Sequence, residues 1–147
     1  MSGSIEIKPI GIIHSNYKKK EDIPIQPRFS KSIGEIEVFK EFEDGLKDIE
    51  GFSHITVLFH FHKSKKELLH GKPFLDKEIH GVFAIRHPDR PNHIGISTLK
   101  LIRRKDNILE VSGLDILDGT PLIDIKPYVP LFDKIKNVKI GWLGDKI

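Results

Sequence analysis

Ser53-His-Ile-Thr-Val-Leu-Phe-His-Phe-His62 alternates without a break. Ile55, Val57, Phe59 and Phe61 fall on one face, and His54, Thr56, Leu58, His60 and His62 fall on the other. A period of two in β-branched and aromatic residues specifies a strand with one side in a core. Working outward, Ile33 to Phe39 repeats the pattern, with Glu35 and Glu37 opposite Ile36 and Val38. Ile94 to Arg103 and Ile108 to Leu114 are two more strands, and Lys105-Asp-Asn107 between them reads as a hairpin turn. Ile5 to Ile13 reads as a first strand in which Pro9 demands an edge or a bulge. Helical spacing is rare. Phe42, Leu46 and Ile49 support a short helix or helical turn over residues 41–50, interrupted by Gly45, that ends near Gly51. Residues 63–71 read as another short helix, and residues 131–135 as a helical turn, with Trp142 capping the core or an interface. Short strands that outnumber helices, without regular helical crossovers, predict a mainly β chain: a small antiparallel β-barrel with a few short helices, in one domain over residues 1–147.

Composition narrows the chemistry. There is no cysteine, which removes disulfides, thiolate zinc sites and a cysteine nucleophile. The first eight residues carry no basic and apolar leader pattern, and no apolar run is long enough to cross a bilayer, so a cytoplasmic protein without a membrane partner is expected. Net charge is +3 and the positive residues are clustered: Lys18-Lys-Lys20, Lys63-Ser-Lys-Lys66 and Arg103-Arg-Lys105. Each cluster reads as a solvated loop or edge before it reads as an RNA contact.

Gly81-Val-Phe-Ala-Ile-Arg-His-Pro-Asp-Arg-Pro-Asn-His-Ile-Gly-Ile-Ser97 concentrates arginines, histidines and turn formers between two apolar segments. Loops of that kind, held by strands on both sides, are common ligand sites. Arg86 and Arg90 offer planar forks for carboxylate, phosphate or a nucleotide face. Asp118-Gly119 is a second strong turn, flanked by Asp115 and Asp124. Pro24-Ile-Gln26-Pro27 holds an amide between two prolines.

Three chemistries compete. His60 and His62 share a strand face at a spacing that metals use, yet such pairs are more often only hydrogen-bonded, and no metal is expected. Neither a Walker loop nor a Gly-x-Gly-x-x-Gly turn is present, so a nucleotide would have to be held by irregular loops. Ser97, His87 and Asp118 could compose a hydrolytic triad, without a nucleophile-elbow pattern to support it.

Ile10-Gly-Ile-Ile-His-Ser15, Pro24-Ile-Gln26, Gly51-Phe-Ser-His54, Phe59-His-Phe-His62, the arginine stretch, and Leu117-Asp-Gly-Thr-Pro-Leu-Ile-Asp-Ile-Lys-Pro-Tyr128 occur in this order. Together they resemble the TrmO/TsaA-like (formerly YaeB) family of S-adenosylmethionine-dependent tRNA methyltransferases. The resemblance implies a β-barrel that takes S-adenosyl-L-methionine as methyl donor without a Rossmann sheet. It also implies a homodimer with the cofactor pocket near the subunit interface. The implied reaction methylates the exocyclic N6 amine of threonylcarbamoyladenosine beside the tRNA anticodon. Cofactor contacts carry over to Pro24, Gln26, His62, Lys63, Arg86, Ile96, Leu117, Asp118, Gly119 and Thr120, with Arg86 on the methionine carboxylate or ordering the pocket wall. Arg90, Asn92, Lys126 and Tyr128 become substrate contacts. No catalytic base is assigned, and His62 and Asp118 are the candidates. The chain departs from the family at Ile85 and His87, where Thr and Ser are usual, and at His93, where Pro is usual. Methyl transfer to another small molecule, or cofactor and RNA binding without catalysis, are the alternatives.

Overall fold

The computed structural model describes residues 3–23 and 32–147. Pro24, Gln26 and Pro27 lie outside the described residues.

Six strands close a barrel, every neighbour antiparallel: β1 (Gly11–His14), β2 (Ile33–Val38), β3 (His54–His60), β6 (Ile94–Lys105), β7 (Ile108–Ser112) and β8 (Thr120–Pro127), in the spatial order β1-β2-β7-β6-β3-β8. The two-residue strands β4 (His70–Gly71) and β5 (His80–Gly81) pair with each other outside the barrel. Alternation decides the inside. Ile55, Val57 and Phe59 of β3 are buried, as are Ile36 and Val38 of β2, while His54, Thr56 and Glu35 face outward. Leu109, Val111, Leu99 and Leu122 complete the same core from the facing strands. The predicted mainly β barrel is the observed fold. The hairpin at Lys105-Asp-Asn107 is also observed, with Asp106 in the left-handed region at φ 54° and the Asn107 side-chain amide donating to the Val38 carbonyl at 2.8 Å.

Several local expectations fail, each for a physical reason. Residues 3–9 form no strand and leave Ile5 and Ile7 exposed, because Pro9 stops the ladder just before β1. Residues 41–50 take the helical-turn form of the expectation, as two 3₁₀ segments, Lys40–Leu46 and Ile49–Gly51, separated by Asp48 at φ 72°. Residues 63–71 are not helical: after a turn they run extended into β4. The segment before the arginine stretch is β5 followed by a 3₁₀ turn, Val82–Ala84, so a barrel strand flanks that stretch only on its C-terminal side. β8 is the strand that the sequence hid. Its Pro121 and Pro127 argue against a central strand, yet it lies between β1 and β3, with a register shift between Leu58 and Phe59.

Antiparallel closure then fixes which loops meet. His14 ends β1, Ile33 starts β2, His60 ends β3, Ile94 starts β6, Ser112 ends β7 and Thr120 starts β8. The registers Ile13 with Thr120, Phe59 with Leu122 and His60 with Ile94 place all six at one end, called here the mouth. Leu114 and Ile116, in the loop between β7 and β8, are buried and plug this end. After β8 the chain forms α1 (Pro130–Asp133) and runs along the outside to Trp142, whose indole N–H donates to the Ala84 carbonyl at 2.8 Å. No helix among the described residues is long and apolar enough to cross a membrane.

Candidate functional site

The Asp118-Gly119 turn is built into the end of β1. Gly119 takes φ +83°, open to glycine and strained for any other residue. Asp118 Oδ1 accepts from the Ser15 N–H at 2.9 Å, and Asp118 Oδ2 pairs with Lys18 Nζ at 2.8 Å. The Lys18 ammonium is the main reason that the Asp118 carboxyl sits below the usual range. The Asp118 N–H donates to the Tyr17 carbonyl and the Gly119 N–H to the Ile13 carbonyl, both at 2.8 Å. Thr120 is buried, and its hydroxyl donates to the Leu117 carbonyl at 2.6 Å. The turn's own donors are therefore spent inside the chain. It offers a ligand carbonyl oxygens and the remaining lone pairs of Asp118.

Residues 61–93 form an excursion that leaves the barrel at the mouth after β3 and rejoins it there at β6. The Phe61 N–H donates to the His93 carbonyl, the Leu68 N–H to the Asp89 carbonyl, and the Ser64 hydroxyl to the Asp89 carboxylate, tying both arms together. Arg90 is a staple: Nη1 donates to the carbonyls of Ile85 at 2.8 Å and His87 at 3.4 Å. Arg86 is exposed and has no hydrogen-bond or ion-pair partner among the described residues. Of the two arginines, Arg86 is thus the one open to a ligand. His87 Nδ1 accepts the Asp89 N–H at 3.0 Å, and His93 Nδ1–H donates to the Pro88 carbonyl at 3.0 Å with its own backbone at φ 51°. The two histidines that distinguish this loop serve its internal geometry. Asn92 is exposed at its tip.

β3 ends at His60, and His62 lies in the following turn, so the expected shared strand face of His60 and His62 does not exist. His60 instead meets His93 edge-on, with ring centroids 6.2 Å apart. No group of three or more His, Cys, Asp or Glu among the described residues is placed to hold a metal. Partial burial, then the Lys63 charge, keeps the His62 imidazole below the ordinary histidine range, hence neutral near pH 7. The triad of Ser97, His87 and Asp118 is not assembled: Ser97 donates to Asp115 Oδ1 at 3.0 Å, while Asp118 is held by Ser15 and Lys18.

The barrel brings His62, Lys63, Ile96 and Leu117–Thr120 to the mouth, and Arg86, Arg90 and Asn92 lie on the excursion that leaves and rejoins it there. Lys126 and Tyr128 are elsewhere. Lys126 pairs with Thr56, and the Tyr128 N–H donates to the His54 carbonyl, toward the far end of β3. Sequence reasoning passed over two features. Ser15 and Lys18 hold the Asp118 turn, and only Ser15 stood inside a quoted motif. The Ser97–Asp115 bond ties β6 to the plug loop, one residue after Ile96 and two before Leu117. In the sequence Asp115 is only a residue flanking the Asp118-Gly119 turn.

Residues 12–134 match the family model described as the tRNA-methyltransferase O N-terminal domain. A probable S-adenosyl-L-methionine-binding protein of Pyrococcus abyssi is 58% identical over 141 residues, covering 95% of this chain and 77% of that protein. The human tRNA (adenine(37)-N6)-methyltransferase is 35% identical over 145 residues, covering 93% of this chain and 33% of the human protein. The crystal structure of TrmO from Pseudomonas aeruginosa superposes with a TM-score of 0.80 at 36% identity, covering 95% of this chain and 63% of that one. The chain thus spans a third of the human protein and under two thirds of the solved one.

Proposed function

Because the chain belongs to the family of the tRNA-methyltransferase O N-terminal domain, we propose that it transfers a methyl group from S-adenosyl-L-methionine to the exocyclic N6 amine of adenosine beside the tRNA anticodon, with threonylcarbamoyladenosine as the preferred acceptor. The observation that supports this reading is the strand register, which brings the Asp118 turn, the His62 turn and the start of β6 to one barrel mouth, where the segment that carries Arg86 leaves and rejoins the barrel. The donor set there fits a sulfonium nucleoside. Arg86 is an unpaired guanidinium for a carboxylate, Asp118 keeps lone pairs for hydroxyl groups, and Asp115 and Asp118 favour a nearby cation.

The cofactor, when bound, supplies a methyl group already activated on sulfur. The protein's task is therefore alignment and exclusion of water. Arg86 and the 117–120 turn would hold the cofactor, the guanidinium on its carboxylate and the turn on its hydroxyl groups. Methylation of an amine requires the acceptor nitrogen to lose one proton. His62 is neutral, with the His60 backbone as its hydrogen-bond partner, and a neutral imidazole can take that proton; Asp118, already held by Lys18, is the weaker base.

Two measurements test the reading. Calorimetry with S-adenosylmethionine and its demethylated product should show binding that Arg86→Ala weakens about tenfold or more, since a charge-assisted hydrogen bond is worth roughly 1.5–3 kcal/mol. Labelled donor should mark tRNA that carries threonylcarbamoyladenosine and not tRNA lacking it. Label entering only small metabolites would replace the acceptor. Tight cofactor binding without transfer to any acceptor would favour a binding module, the function for which the Pyrococcus relative is named.

A further inference from the structure

Of the three basic clusters in the sequence, the fold sends two to the mouth and one to the opposite end. The first follows β1: the Tyr17 carbonyl accepts the Asp118 N–H, which sets Lys18 and Lys19 beside the Asp118 turn. The second follows β3, where Lys63, Lys65 and Lys66 are exposed on the arm tied to Asp89 through Ser64 and Leu68. β8 alone lies between β1 and β3, so the two clusters leave the barrel two strand spacings apart, about 10 Å. Lys19, Lys63, Lys65, Lys66 and Arg86 are all exposed and have no ion pair among the described residues. Lys18 is spent on Asp118, and Glu21, Asp22, Glu35 and Glu67 are exposed acids near the lysines.

The third cluster differs. Arg103 Nε pairs with Glu110 at 2.8 Å, and Arg104 Nη1 pairs with Glu50 at 3.0 Å and also donates to the Leu46 carbonyl. Around it at the far end stand Glu41, Glu43, Asp44, Asp48 and Asp106. The two ends differ in degree: unpaired lysines from two clusters gather at the mouth, whereas at the other end the arginines are ion-paired and the exposed Lys47 and Lys105 stand among five acids.

We propose that the unpaired lysines of the mouth, Lys19, Lys65 and Lys66 with Lys63, grip the phosphate backbone of the acceptor RNA and set its loop over the cofactor site. The inference rests on the tRNA reading and adds how the RNA is held. Lysine is suited to this role: a point charge on a flexible stem meets phosphates without demanding a base sequence. Lys126 and Tyr128, toward the far end, have no part in it.

The test compares the wild-type protein with two triple variants of equal charge change. One carries Lys19→Gln, Lys65→Gln and Lys66→Gln. The other carries Lys40→Gln, Lys47→Gln and Lys105→Gln at the far end. Fluorescence anisotropy with a labelled anticodon stem-loop RNA, over a series of salt concentrations, gives affinity and the salt slope. S-adenosylmethionine binding is measured by calorimetry on the same three samples. Each lost phosphate contact to a single strand removes about 0.7 from the slope, so the mouth variant should flatten it by about 2 and bind about tenfold or more weakly near physiological salt. The far-end variant should match wild type. Equal losses in both variants, or no loss in the mouth variant, or no RNA binding by wild type, would each overturn the proposal. Cofactor binding retained in all three samples would leave the S-adenosylmethionine reading standing in any of those cases.

Discussion

Asp115 and Asp118 stand in one loop, and their surroundings push them in opposite directions. Asp118 has an ammonium and an N–H on its two oxygens, and its carboxyl falls below the ordinary range. Asp115 has burial against it and mainly a serine hydroxyl for it, and its carboxyl rises. A carboxyl raised in the folded state binds more protons there than in the unfolded chain. Stability therefore falls as pH climbs from the ordinary aspartate value through the raised one, and the whole penalty is present at neutral pH. Asp115→Asn keeps an oxygen for Ser97 and removes the desolvated charge. Its melting temperature at pH 7 should equal or exceed that of wild type, with the gap closing below about pH 4, near the ordinary aspartate value. Asp118→Asn has the opposite sign: a lowered carboxyl stabilises above its unfolded value, so this variant should lose about 1 kcal/mol at pH 7, since the pair is partly exposed, and nothing in strong acid. Thermal unfolding of both variants across pH decides. If Asp115→Asn melts well below wild type at pH 7, the charge has a partner beyond Ser97. If it melts higher yet transfers methyl groups poorly, the carboxylate is kept for the site.

At the scale of the element, β6 shows how closely the mouth is packed. A Cβ on Gly95 would collide with the Phe59 ring and lie 2.8 Å from Phe61 Cζ, rings that meet edge-on with centroids 5.2 Å apart. Gly95→Ala should therefore cost about 1–3 kcal/mol, read as a lower denaturant midpoint at unchanged slope. It should also weaken cofactor binding, because Ile96 and Ser97 are displaced with it. A midpoint equal to wild type would mean that the aromatic pair yields freely. Elements of this kind were legible where a period of two met β-branched residues, as in β2, β3, β6 and β7. β8 was not legible, because proline chemistry at positions 121 and 127 outweighs its alternation in any local reading, and only pairing on both sides overrides it. The site was legible as motifs and not as geometry. Arg86 and Arg90 look alike in sequence, but backbone carbonyls claim one and leave the other open. Lys126 and Tyr128 follow Asp118 closely in the chain, yet the length of β8 carries them away from the mouth.

At the scale of the whole molecule, the apolar surface after β8 asks for a cover. Leu131, Phe132 and Ile135 are 87%, 77% and 73% exposed, and Phe83 on the excursion is 78% exposed. This segment is pinned rather than loose. Trp142 donates to Ala84 and stacks on His80 at 4.7 Å, and His80 pairs with Asp76 at 2.8 Å, so the tail is fastened to the same excursion that carries Arg86. A monomer rarely leaves so many large side chains in water on a fixed backbone, whereas a dimer interface buries them. We expect the protein to sediment as a homodimer at micromolar concentration. Leu131→Ser with Phe132→Ser should yield a monomer whose far-ultraviolet dichroism is unchanged, since neither side chain enters the barrel core. If the interface also supports the mouth, that monomer should bind S-adenosylmethionine more weakly, although no mouth residue has been altered. A wild-type protein that sediments as a monomer would remove the interface and leave the exposed strap for some other partner.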